Sequence, residues 1–379
     1  MAKLKVLELF AGIGACSKAL TNLGIEHEIV DAVEIDKYAI AAFNAIHGTD
    51  FEPQDITEWD KNLECDLIMH GSPCQDFSIA GKQAGGDKNS GTRSSLMYET
   101  LRIVEKLKPK YVIWENVKNL LSQKHRHNFD AYLEAMRKLG YVNYYQVLNA
   151  KDYGVPQNRE RVFTVSILGD NDFKFPPRRP LTKRLKDVLE DKVDEKYYLD
   201  DEKIASLLNS NYDQNKRFYD ADGICPTIST MGGGQRQPKV LDPFIVASRG
   251  RNPKNPSDRT AGAPTIQRLE PKFDGTTNTL TSVQKDNYVV VDDTYRNREA
   301  RVYNKVSPSL RSQRSGLKVI DGIRIRKLTP KECYRLMGFS DQDFDRASAI
   351  LSNTQLYKQA GNSIVVPVLE AILKELIYE

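Results

Sequence analysis

Between residues 3 and 170, β-type apolar runs alternate with stretches of helical period, and this alternation constrains the fold of the 379-residue chain more than any other feature. Strands are expected at KVLELF (5–10), HEIVDAVEI (27–35), CDLIMHGS (65–72), YVIWENV (111–117), YYQVLNA (144–150) and ERVFTVSIL (160–168). Helices are expected from about Ala15 to Leu23 and over KYAIAAFNAIHG (37–48), closed by Gly48. Two more are expected over LMYETLRIVEKLK (96–108) and NFDAYLEAMRKLG (128–140). Strands that alternate with helices bury a mainly parallel sheet under helices on both faces, because each crossover must return over the sheet. The first half therefore reads as an α/β, Rossmann-like domain.

The texture changes at PPRRP (176–180). From about 181 to 325 the chain is polar, rich in loops and poor in helical period. It repeats itself loosely as GICPTI (223–228), AGAPTI (261–266), GTTNTL (275–280) and KVSPSL (305–310). Several copies precede a short β-branched run, which suggests irregular hairpins with polar turns presented to a partner. Coincidental Pro/Thr-rich loops are the plainer explanation. The chain then returns to helical texture in LTPKECYRLMGF (328–339) and VVPVLEAILKELIYE (365–379). These changes predict a larger domain over 1–180, completed by a helix over 355–379, and a smaller, mostly β domain over 181–354.

Charge separates the two halves further. Ten Lys/Arg lie between Arg296 and Lys327 against Glu299 and Asp321, within a chain whose net charge is only +4. Eight more lie between Arg236 and Lys272 against three acids. Such local fields suit a polyanion, because each phosphate contact releases condensed counterion. A solvated basic surface is the competing explanation. The five cysteines are odd in number and none are spaced C-x-x-C, so neither a disulfide framework nor a zinc site is expected. His125 and His127 are expected in a solvated polar turn. A short apolar N-terminal run without a cleavage pattern, and no run of about 18 apolar residues, point to a cytoplasmic protein without a membrane span.

Several residues collect at expected strand ends, where open α/β sheets bind ligands. FAGIG (10–14) offers Phe10, Gly12 and Gly14 at a strand-to-helix turn, but Ser17 stands where a dinucleotide fingerprint has its third glycine. Glu34 follows Gly14 by 20 residues, a spacing that suits hydrogen bonds to ribose hydroxyls. Asp55, in QDIT, is expected at the end of a third strand. Cys74, in GSPCQDFS (71–78), leads into a Gly-rich polar stretch with the length of a lid. Its neighbours are poor company for a buried thiol, and a thiolate there is a candidate nucleophile. Glu115 closes an apolar strand, where a carboxylate is costly without a task. Arg159 and Arg161 are two apart on an expected strand and so are expected to share a face able to grip an anion; two exposed edge-strand arginines are the duller alternative.

In order, FAGIG, VEID, GSPCQDFS, WENV, QNRERVF, RKLTPKECYRLMGF and YKQAGNSIVVPVL resemble the successive motifs of bacterial and phage DNA cytosine-5 methyltransferases. The resemblance spans nearly the whole chain except 181–325, where that family keeps its target-recognition region. It implies a Rossmann-like, S-adenosylmethionine-dependent methyltransferase domain with no metal, plus a loop-rich recognition domain that includes RKLTPKECYRLMGF. Cys74 would add to carbon 6 of a flipped-out cytosine, Glu115 would engage ring nitrogen 3, and Arg159 and Arg161 would hold the base and Glu115. Phe10, Gly12, Gly14, Glu34, Ile35, Asp55, Ile56, Pro73 and Asn362 would contact the cofactor. Gln75, Ser78, Arg311 and Arg314 would contact double-stranded DNA. Ala80 departs from the Ser common in relatives, which affects a loop contact rather than the chemistry. The resemblance also implies a monomer in a bacterial or phage-infected cell, and leaves open whether it acts beside an independent cognate restriction endonuclease, protects a phage genome or acts alone. A transfer-RNA cytosine methyltransferase, a non-catalytic DNA-binding regulator and a nicotinamide-dependent oxidoreductase are the alternatives. The long 181–325 segment, the intact set Cys74, Glu115, Arg159 and Arg161, and Ser17 disfavour them in turn.

Overall fold

A computed structural model describes residues 3–73, 93–169, 172–208, 217–231, 236–243, 245–251, 266–272, 288–289 and 323–378. In chain order the first elements are β1 (Leu4–Leu9), α1 (Ala15–Asn22), β2 (His27–Val33), α2 (Lys37–His47), β3 (Leu67–His70) and α3 (Met97–Leu107). They continue as β4 (Tyr111–Val117), α4 (Arg126–Lys138), β5 (Tyr141–Asn149), β6 (Gln157–Asn158) and β7 (Glu160–Leu168). Six strands form one sheet in the order β2-β1-β3-β4-β7-β5. The pairs β1–β2, β1–β3 and β3–β4 are parallel, whereas β7 runs antiparallel to both β4 and β5. The sheet is thus mainly parallel, as expected, with one reversed strand inserted next to β4.

Alternation along β1 shows how helices cover both faces. Leu7 and Leu9 join a core with Ile103 of α3, Phe129 and Tyr132 of α4, and Trp114 of β4. Glu8 points the opposite way, where its carboxylate accepts from Ser17 of α1. Helix ends follow local chemistry. Asp36 caps α2 by accepting from the Tyr38 amide at 2.9 Å, and Gly48 closes that helix in the left-handed region.

The expected strand at QDIT does not form. Residues 54–61 make a turn tied to buried Asp31 of β2, which accepts from Gln54 Nε2 (2.8 Å) and Trp59 Nε1 (2.8 Å) and pairs with Lys61 Nζ (2.7 Å). Side-chain hydrogen bonds satisfy this loop in place of a ladder. The third strand of the sheet is β3. His125 and His127 also part company: His125 is buried just before α4, and only His127 is exposed.

The remaining elements are α5 (Asp201–Leu208), β8 (Phe218–Asp220), β9 (Cys225–Pro226), β10 (Lys239–Pro243), β11 (Ile245–Arg251), β12 (Ile266–Lys272), β13 (Tyr288–Val289) and β14 (Ile323–Lys327). They are followed by α6 (Pro330–Arg335), α7 (Asp341–Ser348), α8 (Asn353–Asn362) and α9 (Val366–Tyr378). The chain divides into two compact units. The first comprises Met1–Lys183, Pro226–Gly234 and Pro330–Glu379, and the second Arg184–Cys225 and Gln235–Thr329. This partition differs from the expected boundaries, because residues 330–354 and a short strip near 230 belong to the first unit. Polar contacts tie α7 to the helices of the first unit: Asp343 pairs with Lys18 of α1 at 2.7 Å, and Arg346 donates to the Ile46 carbonyl of α2 at 2.9 Å.

Within the second unit, β10 pairs antiparallel with β14 and parallel with β8, and β11 pairs antiparallel with β12 and β13. Only part of it follows the expected hairpin pattern. Among the described residues no helix is long and apolar enough to cross a membrane.

Candidate active site

Parallel strands deliver their carboxyl ends to one edge, and β1, β2, β3 and β4 are in register there: Leu9 faces Val33 and His70, and His70 faces Trp114. The loops leaving those strands therefore gather Phe10–Gly14, Glu34–Ile35, Gly71–Pro73 and Glu115 along one rim. At the β1 exit the backbone turns sharply, with Phe10, Gly12 and Gly14 at φ 53, 55 and 77°. The Gly12 amide donates to Glu34 Oε2 at 3.0 Å, and the Asp36 amide donates to Oε1 at 2.9 Å. Burial pushes the Glu34 carboxyl up from its ordinary range, opposed by these amide hydrogen bonds. Beside it Ile35 is 69% exposed, an apolar side chain left without protein cover. Asp55 Oδ1 is engaged by the amide and hydroxyl of Thr57, and Ile56 is buried.

This rim suits a nucleoside-bearing cofactor. Each Glu34 oxygen holds one amide and retains a lone pair for a ribose hydroxyl. At Gly12 an added Cβ would meet nothing within 4 Å, so the loop leaves open space at its turn. Among the described residues no group of three or more His, Cys, Asp or Glu is placed to hold a metal ion.

The second half of the rim is polar and fixed from behind. Ser72 Oγ accepts from Trp114 Nε1 at 3.0 Å, and Asn116 Nδ2 donates to the Ser72 carbonyl at 3.3 Å. Below it, His70 is fully buried, shares a 3.0 Å hydrogen bond with Tyr132 and stacks on Trp114. Burial depresses His70 to about 3, so the imidazole is neutral at physiological pH. Pro73, which follows Ser72 in the chain, is half-buried. Cys74, Gln75, Ser78, Arg311 and Arg314 lie outside the described residues.

Glu115 meets Arg161 across the β4–β7 pair, with Arg161 Nε 3.0 Å from Glu115 Oε1. The pair is sheltered, with 18% and 11% of the two side chains exposed. Although ion-paired, the buried Oε1 accepts no hydrogen bond. A carboxylate oxygen in that state favours a donor from outside the protein. Glu115 Oε2 also approaches Gly71, lying 3.7 Å from where a Cβ would stand.

Arg159 does not share a strand face with Arg161. It precedes β7, is 4% exposed, and donates to the carbonyls of Ile228 (2.9 Å), Gly361 (3.3 Å) and Ser363 (2.9 Å). Asn362, the last residue of α8, is exposed between the last two. Sequence reasoning missed Asp31, which anchors the Asp55 loop, and the Ser72–Trp114–Asn116 link. The signal that picked out Glu115, a carboxylate within an apolar strand, also marks Asp31.

A mainly parallel sheet covered on both faces, with a glycine turn and an acidic residue at neighbouring strand ends, fits a Rossmann-like S-adenosylmethionine-dependent methyltransferase fold. The chain belongs to the C-5 cytosine-specific DNA methylase family, whose model matches residues 4–378. It is 33% identical to the orphan methyltransferase M.SPBetaI of Bacillus phage SPbeta, covering 100% of this chain and 98% of that one. It is equally 33% identical to the type II methyltransferase M2.ScrFI of Lactococcus lactis subsp. cremoris, covering 98% and 99%. Among solved structures, the Dnmt2 methyltransferase of S. pombe superposes with a TM-score of 0.62 at 20% identity, over 99% of both chains. At that identity the likeness concerns the fold alone.

Proposed function

We propose that this chain transfers a methyl group from S-adenosylmethionine to carbon 5 of a cytosine within a specific double-stranded DNA sequence. The observation that carries the proposal is the sheltered Glu115–Arg161 pair beside Gly71, on the strand end that leads into Cys74. Carbon 5 of cytosine is a weak nucleophile in a stacked, aromatic base, so the base must leave the helix and its ring must be activated. Cys74 Sγ forms a bond to carbon 6, and the electron pair displaced from the ring double bond makes carbon 5 nucleophilic. Glu115, engaged at ring nitrogen 3, stabilises the charge that addition places on the ring, while Arg161 orients Glu115 and the base. Bound S-adenosylmethionine supplies an electrophilic methyl group to carbon 5. The donor would be left as S-adenosylhomocysteine. Solvent water takes the carbon 5 proton, the electrons of that C–H bond re-form the 5,6 double bond, and the bond to Cys74 breaks with its electron pair returning to Sγ as thiolate. Phe10, Gly12, Gly14, Glu34, Ile35, Asp55, Ile56, Pro73 and Asn362 would hold the cofactor.

Under this proposal the second unit reads the DNA sequence, with Gln75, Ser78, Arg311 and Arg314 among the DNA contacts. The protein acts as a cytoplasmic monomer, alone or beside an independent restriction endonuclease. A duplex carrying 5-fluorocytosine at the target tests the chemistry, because fluorine cannot leave as a proton does. Native protein with cofactor is expected to form a denaturation-resistant adduct, located by mass spectrometry on Cys74, and Cys74→Ala is expected to form none while still binding duplex. An adduct elsewhere, or full turnover by Cys74→Ala, refutes the assignment; preference for transfer RNA over duplex DNA refutes the substrate.

A further inference from the structure

One turn joins the two halves of the rim. α8 ends at the exposed Asn362, and buried Gly361 and Ser363 flank it. The last carbonyls of a helix have no partner within it and carry its partial negative charge. Here Arg159 takes two of them, those of Gly361 and Ser363, with one nitrogen, and gives the other to Ile228. A guanidinium spans three acceptors in this way because its donors are fixed in a plane; an ammonium on a flexible stem does not. Gly361 leaves no room for a side chain, since a Cβ there would stand 2.1 Å from the Ser229 carbonyl oxygen. The strip around Ser229 therefore rests directly on the turn.

The other side of α8 is tied to the residues that follow Ile35. Lys358 Nζ pairs with Asp36 at 2.6 Å, and Gln359 Nε2 donates to the Tyr38 carbonyl at 2.8 Å. Tyr334 in turn donates to Gln359 Oε1 at 2.8 Å. Just past the turn, Ile364 Cδ1 lies 3.5 Å from the point at Gly71 that Glu115 Oε2 also approaches.

We propose that Arg159 is a positioning residue for Asn362: it fixes the Gly361–Ser363 turn from which Asn362 meets S-adenosylmethionine, and so sets cofactor affinity rather than gripping the cytosine. The inference rests on Asn362 being a cofactor contact, as proposed above. The test is calorimetric titration of S-adenosylhomocysteine into full-length native protein, Arg159→Lys, Asn362→Ala and the double variant. Each single substitution is expected to weaken binding about tenfold or more, and the double variant to bind within about twofold of the weaker single, because residues acting through one contact are not additive. In turnover, Arg159→Lys is expected to raise KM for the cofactor far more than it lowers kcat.

Native affinity in Arg159→Lys with a collapsed kcat, or losses that add in full, overturns the inference while leaving the cofactor site in place. Native affinity in Asn362→Ala overturns the cofactor reading itself. Should Arg159→Lys fail to fold, hydrogen exchange on the native protein decides. S-adenosylhomocysteine is expected to slow exchange in residues 226–231 as well as 358–364, and protection confined to 358–364 overturns the inference.

Discussion

At the scale of single residues, carboxylates placed in apolar strands carry most of the information. Glu115 was legible because a charge in YVIWENV is costly to bury without a task. Glutamine in its place keeps the shape but loses the charge that pairs with Arg161 at 3.0 Å. Glu115→Gln is expected to lower kcat by roughly 10²- to 10⁴-fold, the usual range for a positioned proton-handling group, with cofactor affinity unchanged. Single-turnover kinetics at saturating DNA measures this directly. Glu8 presents the same sequence signal with a different outcome. It is 3% exposed, and burial raises its carboxyl to about 7 despite hydrogen bonds from Ser17. The folded chain thus holds this proton more tightly than the unfolded chain, whose glutamate titrates near 4.5. Stability from Glu8 is complete below about pH 4.5 and is lost as pH rises through about 7. Glu8→Gln keeps the acceptor for Ser17 and removes the charge. It is expected to equal or trail the native protein at pH 5 and to exceed it at pH 8, by an amount on the order of 3 kcal/mol at most. His47 and His70 are depressed to about 4 and 3 and act in the opposite sense, losing stability as pH falls below about 6.5. They are common to both proteins, so the difference between the two thermal melts isolates Glu8.

At the scale of elements, the strands and helices of the sheet were legible because burial on both faces leaves long apolar runs, and YVIWENV and ERVFTVSIL fall on the residues of β4 and β7. QDIT was misread because its short β-branched pattern is satisfied by Asp31, a side-chain partner that no local pattern reveals. The spacing of Arg159 and Arg161 misled for a related reason: the strand starts only at Glu160, so the two-residue period does not extend to Arg159. The loop between β1 and α1 allows a contrast between its two glycines. At Gly14 (φ +77°) a Cβ would stand 2.1 Å from His47 Nε2 and 2.7 Å from Phe43, which is fully buried. Gly14→Ala combines left-handed strain with overpacking and is expected to cost about 2–4 kcal/mol of stability. Gly12→Ala meets nothing within 4 Å and carries only the strain of φ +55°, about 1–2 kcal/mol. Its added methyl nevertheless enters the space assigned to the cofactor, so its affinity is expected to fall at least about tenfold. Thermal unfolding with and without S-adenosylmethionine separates the two: Gly14→Ala should shift both midpoints down, and Gly12→Ala should chiefly lose the stabilisation by ligand. Equal ligand stabilisation in native protein and Gly12→Ala would remove this loop from the cofactor site.

At the scale of the whole molecule, charge counting and burial give different accounts of DNA binding. The sequence places ten Lys/Arg between Arg296 and Lys327, and eight between Arg236 and Lys272. Of these, Arg326 and Lys239 are 1% and 2% exposed within the second unit, where Lys239 is depressed to about 8 by burial and by Lys327. Periodicity could not separate them from surface cations, because β10 and β14 are five residues each and joined only through distant pairing. A buried cation neutralises no phosphate, so the slope of log affinity against log salt should report only the exposed set. Arg311→Ala and Arg314→Ala are expected each to reduce the magnitude of that slope by about 1 wherever the arginine meets a phosphate. Where either instead reads a base edge, the slope should hold and discrimination against a single-base change should fall by roughly 1–3 kcal/mol. Arg326→Met should do neither, since the native side chain never reaches solvent; any loss of binding should track loss of folded protein in the thermal melt. Fluorescence anisotropy of a labelled duplex across a salt series distinguishes these cases. A slope that falls with Arg326→Met in a fully folded protein would mean that the β14 cation faces DNA after all.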